Sequence, residues 1–193
     1  MLNAVPLPED VELCSLKSRG CMLATIVSEF RAAFPGIAFE VDTQTRIVNA
    51  QAFGQGGVRF VRLYGGFAFH PLVSEDALVF AILHETGHHR ARGRRFAGDP
   101  GLACDCLADK WAVGPGARML RRHSGRVLNL ANALESLDAM IASIDVGSGH
   151  LSGSQKKRHL RPHDCWTGYW STRKSRLSSG IAPAPTGPCY YYS

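Results

Sequence analysis

No apolar run in this chain exceeds seven residues, Ala77 to Leu83, whereas a membrane-spanning helix needs about twenty. No membrane span is therefore expected. Met1 to Asp10 has neither a basic start nor a long apolar core, so no secretory signal is expected either. A cytoplasmic location follows as the default, with the six cysteines at 14, 21, 104, 106, 165 and 189 reduced. Cys14 and Cys21, seven apart, then pack as small hydrophobes on one helix. Acid is scarce only at the C-terminal end. Residues 151 to 193 carry seven Lys and Arg against one Asp, while residues 1 to 150 balance at fifteen against fifteen.

That asymmetry divides the chain. A domain over residues 1–148 suits the usual domain size, and Gly147 to Gly153 is the natural boundary. Residues 149–193 form a basic tail. Gln155 to Arg161 and Ile181 to Pro188 show neither helical nor strand period, so the tail is expected to be largely disordered. Its charge offers contact with nucleic acid or an anionic surface. Trp166, Tyr169 and Trp170 offer stacking on bases or docking back on the domain.

Within the domain, Val11 to Phe34 has helical spacing of Leu13, Leu16, Met22, Leu23, Ile26, Val27 and Phe30, stopped by Pro35-Gly36. Four β-compatible runs follow, at Ile37 to Val41, Arg46 to Ala50, Val58 to Leu63 and Gly66 to His70, with the glycines at 54, 56, 57, 65 and 66 read as turns. Gly66 to His70, last before the next helix, is the expected edge strand. Ala117 to Ile144 reads as helix broken near Ser124-Gly125, with Val127, Leu128, Leu130, Leu134, Leu137 and Ile141 as its buried side. The fold class is α+β.

Between strands and final helices, Ser74 to His89 carries the chemistry. Ser74 is an N-cap candidate, Glu75 and Asp76 suit the positive end of a helix dipole, and Ala77 to Leu83 is apolar all round. The run ends in His84-Glu85-Thr86-Gly87-His88. Four-residue spacing stacks the two imidazoles one turn apart on one helical face, where one zinc ion reaches both, with Glu85 beside them. Gly87 costs about 1 kcal/mol against Ala inside a helix, which predicts close approach by another backbone. Arg90 to Arg95 reads as the frayed, basic end of this helix.

A catalytic zinc site wants three protein ligands and one position for water. Cys104 to Ala112 places Asp105, Ala108, Asp109 and Ala112 on one helical face. Asp105 is the preferred third ligand, with Asp109 one turn on to hold a histidine's second nitrogen. Cys104 and Cys106 are the alternatives, disfavoured because a thiolate's charge makes bound water a poorer nucleophile precursor. His89 points about 100° round the helix from His88 and is read as a solvated or supporting histidine.

Here the sequence resembles the gluzincin metallopeptidases, in which a two-histidine helix is followed by a second helix carrying Glu-x-x-x-Asp, in several families as Glu-x-x-Ala-Asp-x-x-Ala. This chain has Asp105-Cys106-Leu107-Ala108-Asp109-Lys110-Trp111-Ala112, keeping the alanines and the second acid and replacing the leading Glu by Asp. The shorter side chain demands a closer second helix or a looser metal; an aspartate third ligand is known in the related aspzincins. The likeness covers roughly residues 74 to 112. It implies a zincin-like fold, in which a small, mostly antiparallel sheet packs on the active-site helix and further helices. It also implies peptide hydrolysis with Glu85 as general base, with His84, His88 and Asp105 on zinc. An oxyanion-steadying His or Tyr is implied too; Tyr64, His123, His159 and His163 qualify by residue type. The competing reading is a non-catalytic protein with a closed structural zinc site of His84, His88 and one or both of Cys104 and Cys106, and a nucleic-acid-binding tail.

Overall fold

The computed structural model describes residues 5–7, 9–96, 99–147 and 178; apart from residue 178, the tail expected to be disordered lies outside the described residues. In chain order the elements are β1 (Val5–Pro6), α1 (Leu16–Ala33), β2 (Ile37–Asp42), β3 (Ile47–Val48), β4 (Ala50–Gln55), β5 (Val58–Tyr64) and α2 (Gly65–Ala68). Then come α3 (Glu75–Arg90), β6 (Arg95–Phe96), β7 (Asp99–Ala103), α4 (Asp105–Trp111), a π-helical turn (Ala112–Gly116), α5 (Ala117–Ser124) and α6 (Leu130–Gly147). The α+β class holds.

The three-stranded sheet is mixed rather than mostly antiparallel. Its order is β2-β5-β4, with β2 parallel to β5 and β4 antiparallel to it through the Gly56-Gly57 turn. A parallel pair needs a crossover, and here β3 and β4 lie in the chain between its members. The small pairs β1-β3 and β6-β7 are antiparallel. Alternation along the strands turns Ile37, Phe39, Ala50, Ala52, Val61 and Leu63 into the core. On the opposite face Arg62 pairs with Glu40 at 2.9 Å and lies over the Phe53 ring, which stacks on Phe60.

Gly66 to His70 is not an edge strand. Its first part belongs to the single-turn helix α2, whose Phe67 and Ala68 are buried together with Phe69 that follows. The glycine pair marks backbone contact instead of a turn: a Cβ on Gly66 would stand 2.6 Å from the Ile47 carbonyl carbon and oxygen. The edge facing α3 is β4, and the Arg46 to Ala50 run is split between β3 and the start of β4.

Helix α3 runs through the centre. Ser74 caps it, its Oγ accepting from Ala77 N at 3.2 Å, and every residue from Ala77 to His89 is buried. An all-round apolar segment is stable only with partners on all sides, and α3 has them in the sheet, α4, the π-helical turn and α6. Phe30, Phe34 and Phe39 pack ring to ring, and Phe34 extends the cluster to Trp111. From α6 come Leu134, Leu137, Met140 and Ile141. The break expected near Ser124-Gly125 is present, with Gly125 at φ 76. Val127, expected inside, is 70% exposed because it falls in the link between α5 and α6.

Polar clamps fix the helix entrances. Arg126 donates to Glu29 of α1, with one contact at 3.0 Å, and to Glu75 at the start of α3. Asp76 accepts from Asn129 N at 3.0 Å and Asn132 Nδ2 at 2.7 Å. Ser136 accepts from Ser74 N and donates to the Leu72 carbonyl. Arg19, buried, donates to the carbonyls of His70 (2.6 Å) and Val73, and His70 Nδ1 accepts from Leu72 N at 3.2 Å.

Two outcomes are expected. Arg126→Ala leaves Glu29 facing a partly buried vacancy and lowers unfolding free energy by about 1–2 kcal/mol, measurable in urea; an unchanged midpoint would show that the clamp contributes nothing. Burial, reinforced by the Arg19 charge, holds His70 below its ordinary range. The unfolded chain therefore binds a proton first, and stability falls as pH drops below about 6.5. His70→Asn should flatten that loss between neutral and mildly acidic pH, and identical slopes for both proteins would refute the assignment.

Candidate metal centre

The cluster forms where α3 meets α4. A Cβ on Gly87 would lie 2.7 Å from the Ala108 carbonyl oxygen and 2.9 Å from its Cα. Only glycine fits there, and the close backbone approach expected from the sequence is this crossing with the Ala108 segment. Ala108 and Ala112, both fully buried, keep the facing side of the second helix equally thin. Asp105, at the first position of α4, is thereby brought over the end of α3.

Three possible ligand atoms converge. His84 Nε2 and His88 Nε2 are 3.1 Å apart, and Asp105 Oδ1 lies 3.6 Å from each. A tetrahedral ion with bonds of about 2.0–2.1 Å holds its ligand atoms about 3.3 Å from one another, so the triangle has the right edge length for one small divalent cation. Among the described residues, His84, His88 and Asp105 form the group that could hold a metal ion; neither Cys104 nor Cys106 belongs to it. The side chain of His84 is fully buried, whereas that of Asp105 is 40% exposed, so the cluster opens on the Asp105 side.

The tautomers point the same way. His84 Nδ1 lies 2.8 Å from Asp109 Oδ1, and His88 Nδ1 lies 2.6 Å from the Ala103 carbonyl. Carboxylate and carbonyl oxygens accept, so each Nδ1 carries its ring's proton and each Nε2 presents a lone pair. Two lone pairs and a carboxylate oxygen aimed at one space repel one another unless a cation lies between them. The donor set, two imidazoles and one carboxylate, suits zinc and other borderline divalent ions.

Glu85 stands beside the triangle without joining it. Its side chain is 3% exposed, with carboxylate oxygens 4.0 Å from His84 Nε2 and 3.9 Å from His88 Nε2. His89 is buried rather than solvated. Its Nε2 donates to the Phe60 carbonyl at 2.8 Å, tying the end of α3 to β5, and burial holds its pKa below the ordinary range against the opposing effect of that hydrogen bond. The Ala103 carbonyl is the supporting contact that residue types did not indicate, since a backbone oxygen has no letter of its own.

Of the oxyanion candidates, Tyr64 donates to Gln51 on β4. His123 lines a groove of about 560 Å³ between α1 and α5 with Thr25, Ser28 and Glu29. His159 and His163 lie outside the described residues. The Arg90 to Arg95 run is not a frayed helix end: α3 stops at Arg90, Ala91 is extended, and Arg95 enters β6.

Gly87→Ala should push the helices apart. Overpacking of this kind costs about 1–3 kcal/mol and moves Asp105 away from the histidines, so thermal midpoint and metal content after dialysis should both fall. A variant with parental values of both would remove the crossing from the account of the site. Comparison with family models, with curated proteins and with solved structures finds no match to this chain.

Proposed function

We propose that the protein is a zinc-dependent metallopeptidase of the gluzincin type, with His84, His88 and Asp105 as metal ligands and Glu85 as general base. The observation that carries the reading is the pair of Nε2 atoms and the Asp105 oxygen facing one space, with the buried Glu85 carboxylate 4.0 and 3.9 Å from the two Nε2 atoms. A zinc ion held there would polarise a substrate carbonyl and lower the pKa of water from 15.7 toward about 7.

The residues divide the remaining work. Asp109 and the Ala103 carbonyl hold the two rings by their Nδ1 protons, which orients both Nε2 atoms and raises their basicity. Asp105 supplies the third donor from the open side, where an incoming peptide has access. Glu85 is not one of the three grouped ligand residues, which on this reading leaves its carboxylate to act on water beside them. Its carboxylate takes a proton from the attacking water and returns it to the departing amine. A thiolate is absent from the donor set, which favours this reading over a structural zinc site closed by Cys104 or Cys106. A small zincin-like domain is the corresponding fold proposal.

Substitutions separate these roles. Glu85→Gln should bind zinc at parental stoichiometry and lose casein hydrolysis by about 10²–10⁴-fold. His84→Ala and His88→Ala should lose zinc itself, and Asp105→Ala should weaken it sharply. Parental activity in Glu85→Gln would sink the base assignment. Normal zinc binding by Asp105→Ala together with its loss in Cys104→Ala or Cys106→Ala would transfer the site to the structural reading.

A further inference from the structure

The segment that joins the two helices carrying the candidate ligands is strongly basic. From Arg90 to Ala103 it contains Arg90, Arg92, Arg94 and Arg95 against the single acid Asp99, whereas the remainder of residues 1–150 holds eleven Lys and Arg against fourteen Asp and Glu. Helix-end electrostatics account for only part of this. The dipole acts within the last turn, where Arg90 is committed to the Pro35 carbonyl at 3.0 Å. Arg92, Arg94 and Arg95 come after the helix, and all three are exposed.

Their backbone places them at the open side of the metal cluster. The Arg94 carbonyl accepts from Cys104 N at 3.1 Å, one residue before Asp105. Arg95 pairs with Ala103, whose carbonyl holds His88. Gly93 sits so close to α4 that a Cβ there would meet Leu107 Cδ1 at 3.1 Å. The arginine-bearing stretch is thus fastened on both sides of Asp105, whose partly exposed side chain marks the opening.

We infer that Arg92, Arg94 and Arg95 form a substrate-selecting rim, and that the peptide taken by this site is acidic, with Asp or Glu side chains flanking the bond presented to the cluster. This rests on the peptidase reading. Three cations in four residues match two or three carboxylates on one extended strand, since guanidinium groups bind carboxylates in paired hydrogen bonds. Nucleic-acid binders more commonly neutralise about 6–10 phosphates, a larger footprint than this rim offers.

Binding is measured by fluorescence anisotropy with the full-length, zinc-loaded Glu85→Gln protein. The probes are fluorescein-labelled peptides of alternating Glu and Ala, Gln and Ala, or Lys and Ala, and an oligothymidine of similar length. The acidic peptide should bind about tenfold tighter than the Gln peptide, on the basis of about twofold per rim charge. The advantage should shrink as salt rises through the range where the Debye length falls below about 10 Å. It should vanish in Arg92→Gln/Arg94→Gln/Arg95→Gln, checked for fold by circular dichroism; if that variant does not fold, Arg92→Gln alone should lose about twofold. Equal binding of acidic and neutral peptides overturns the inference, as does tighter, arginine-dependent binding of the oligothymidine. Casein hydrolysis by the parent protein tests the peptidase reading separately. Hydrolysis without charge preference removes the rim and keeps the peptidase, whereas arginine-dependent binding of the acidic peptide without hydrolysis removes the peptidase and keeps the rim.

Discussion

Two helices cross in this protein at a point where one offers no side chain and the other only a methyl group, and the polar cluster depends on that contact. With Gly87 against the Ala108 backbone, α4 lies near enough for the short side chain of Asp105 to come within 3.6 Å of both imidazoles. The same proximity lets Asp109 reach the far nitrogen of His84. The missing methylene of aspartate, relative to a glutamate at position 105, is matched by a missing Cβ at position 87. Gly87 is worse for the helix than alanine by about 1 kcal/mol, so intrinsic preference is overridden here by packing.

A polar cluster in the middle of a core has to be supported by the scaffold around it. His84, Glu85, His88 and Asp109 are all buried, and charged or half-satisfied groups in such surroundings are costly. The structure meets that cost by supplying partners from its own elements. Asp109 comes from α4, the Ala103 carbonyl from the end of β7, and the Phe60 carbonyl from β5 through His89. Three separate elements therefore hold the last two turns of α3, and rotation of that helix would break all three contacts together.

The opposite end of α3 is held with equal care. Ser74, Glu75 and Asp76 engage Ser136, Arg126, Asn129 and Asn132, so the same short capping segment that starts the helix also docks α6 and the link that precedes it. Apolar burial along Ala77 to Leu83 joins the two ends. Side chains there gain about 1.5–3 kcal/mol each on burial where they are large, which stabilises a helix whose terminal turns carry polar groups.

How much was legible in the letters varied with the range of the interaction concerned. Local signals sufficed for α3: a serine cap, acids in the first turn, and four-residue spacing of His84 and His88 follow from helix geometry alone. The need for a second backbone at Gly87 was readable too, because glycine inside a helix asks for a reason. The break at Gly125 was another local signal. Strand pairing was not local. The alternating runs did not reveal that β2 lies parallel to β5, since parallel neighbours are brought together by a crossover whose path no short pattern records. Gly65-Gly66 looked like punctuation between strands because a glycine needed for conformational freedom and one needed for close contact are written with the same letter. Burial of His89, the use of the Ala103 carbonyl and the position of the arginines beside Asp105 were decided by tertiary structure alone. Each depends on which backbone atoms lie next to a side chain after folding, and residue order specifies that only through the packing of the whole domain.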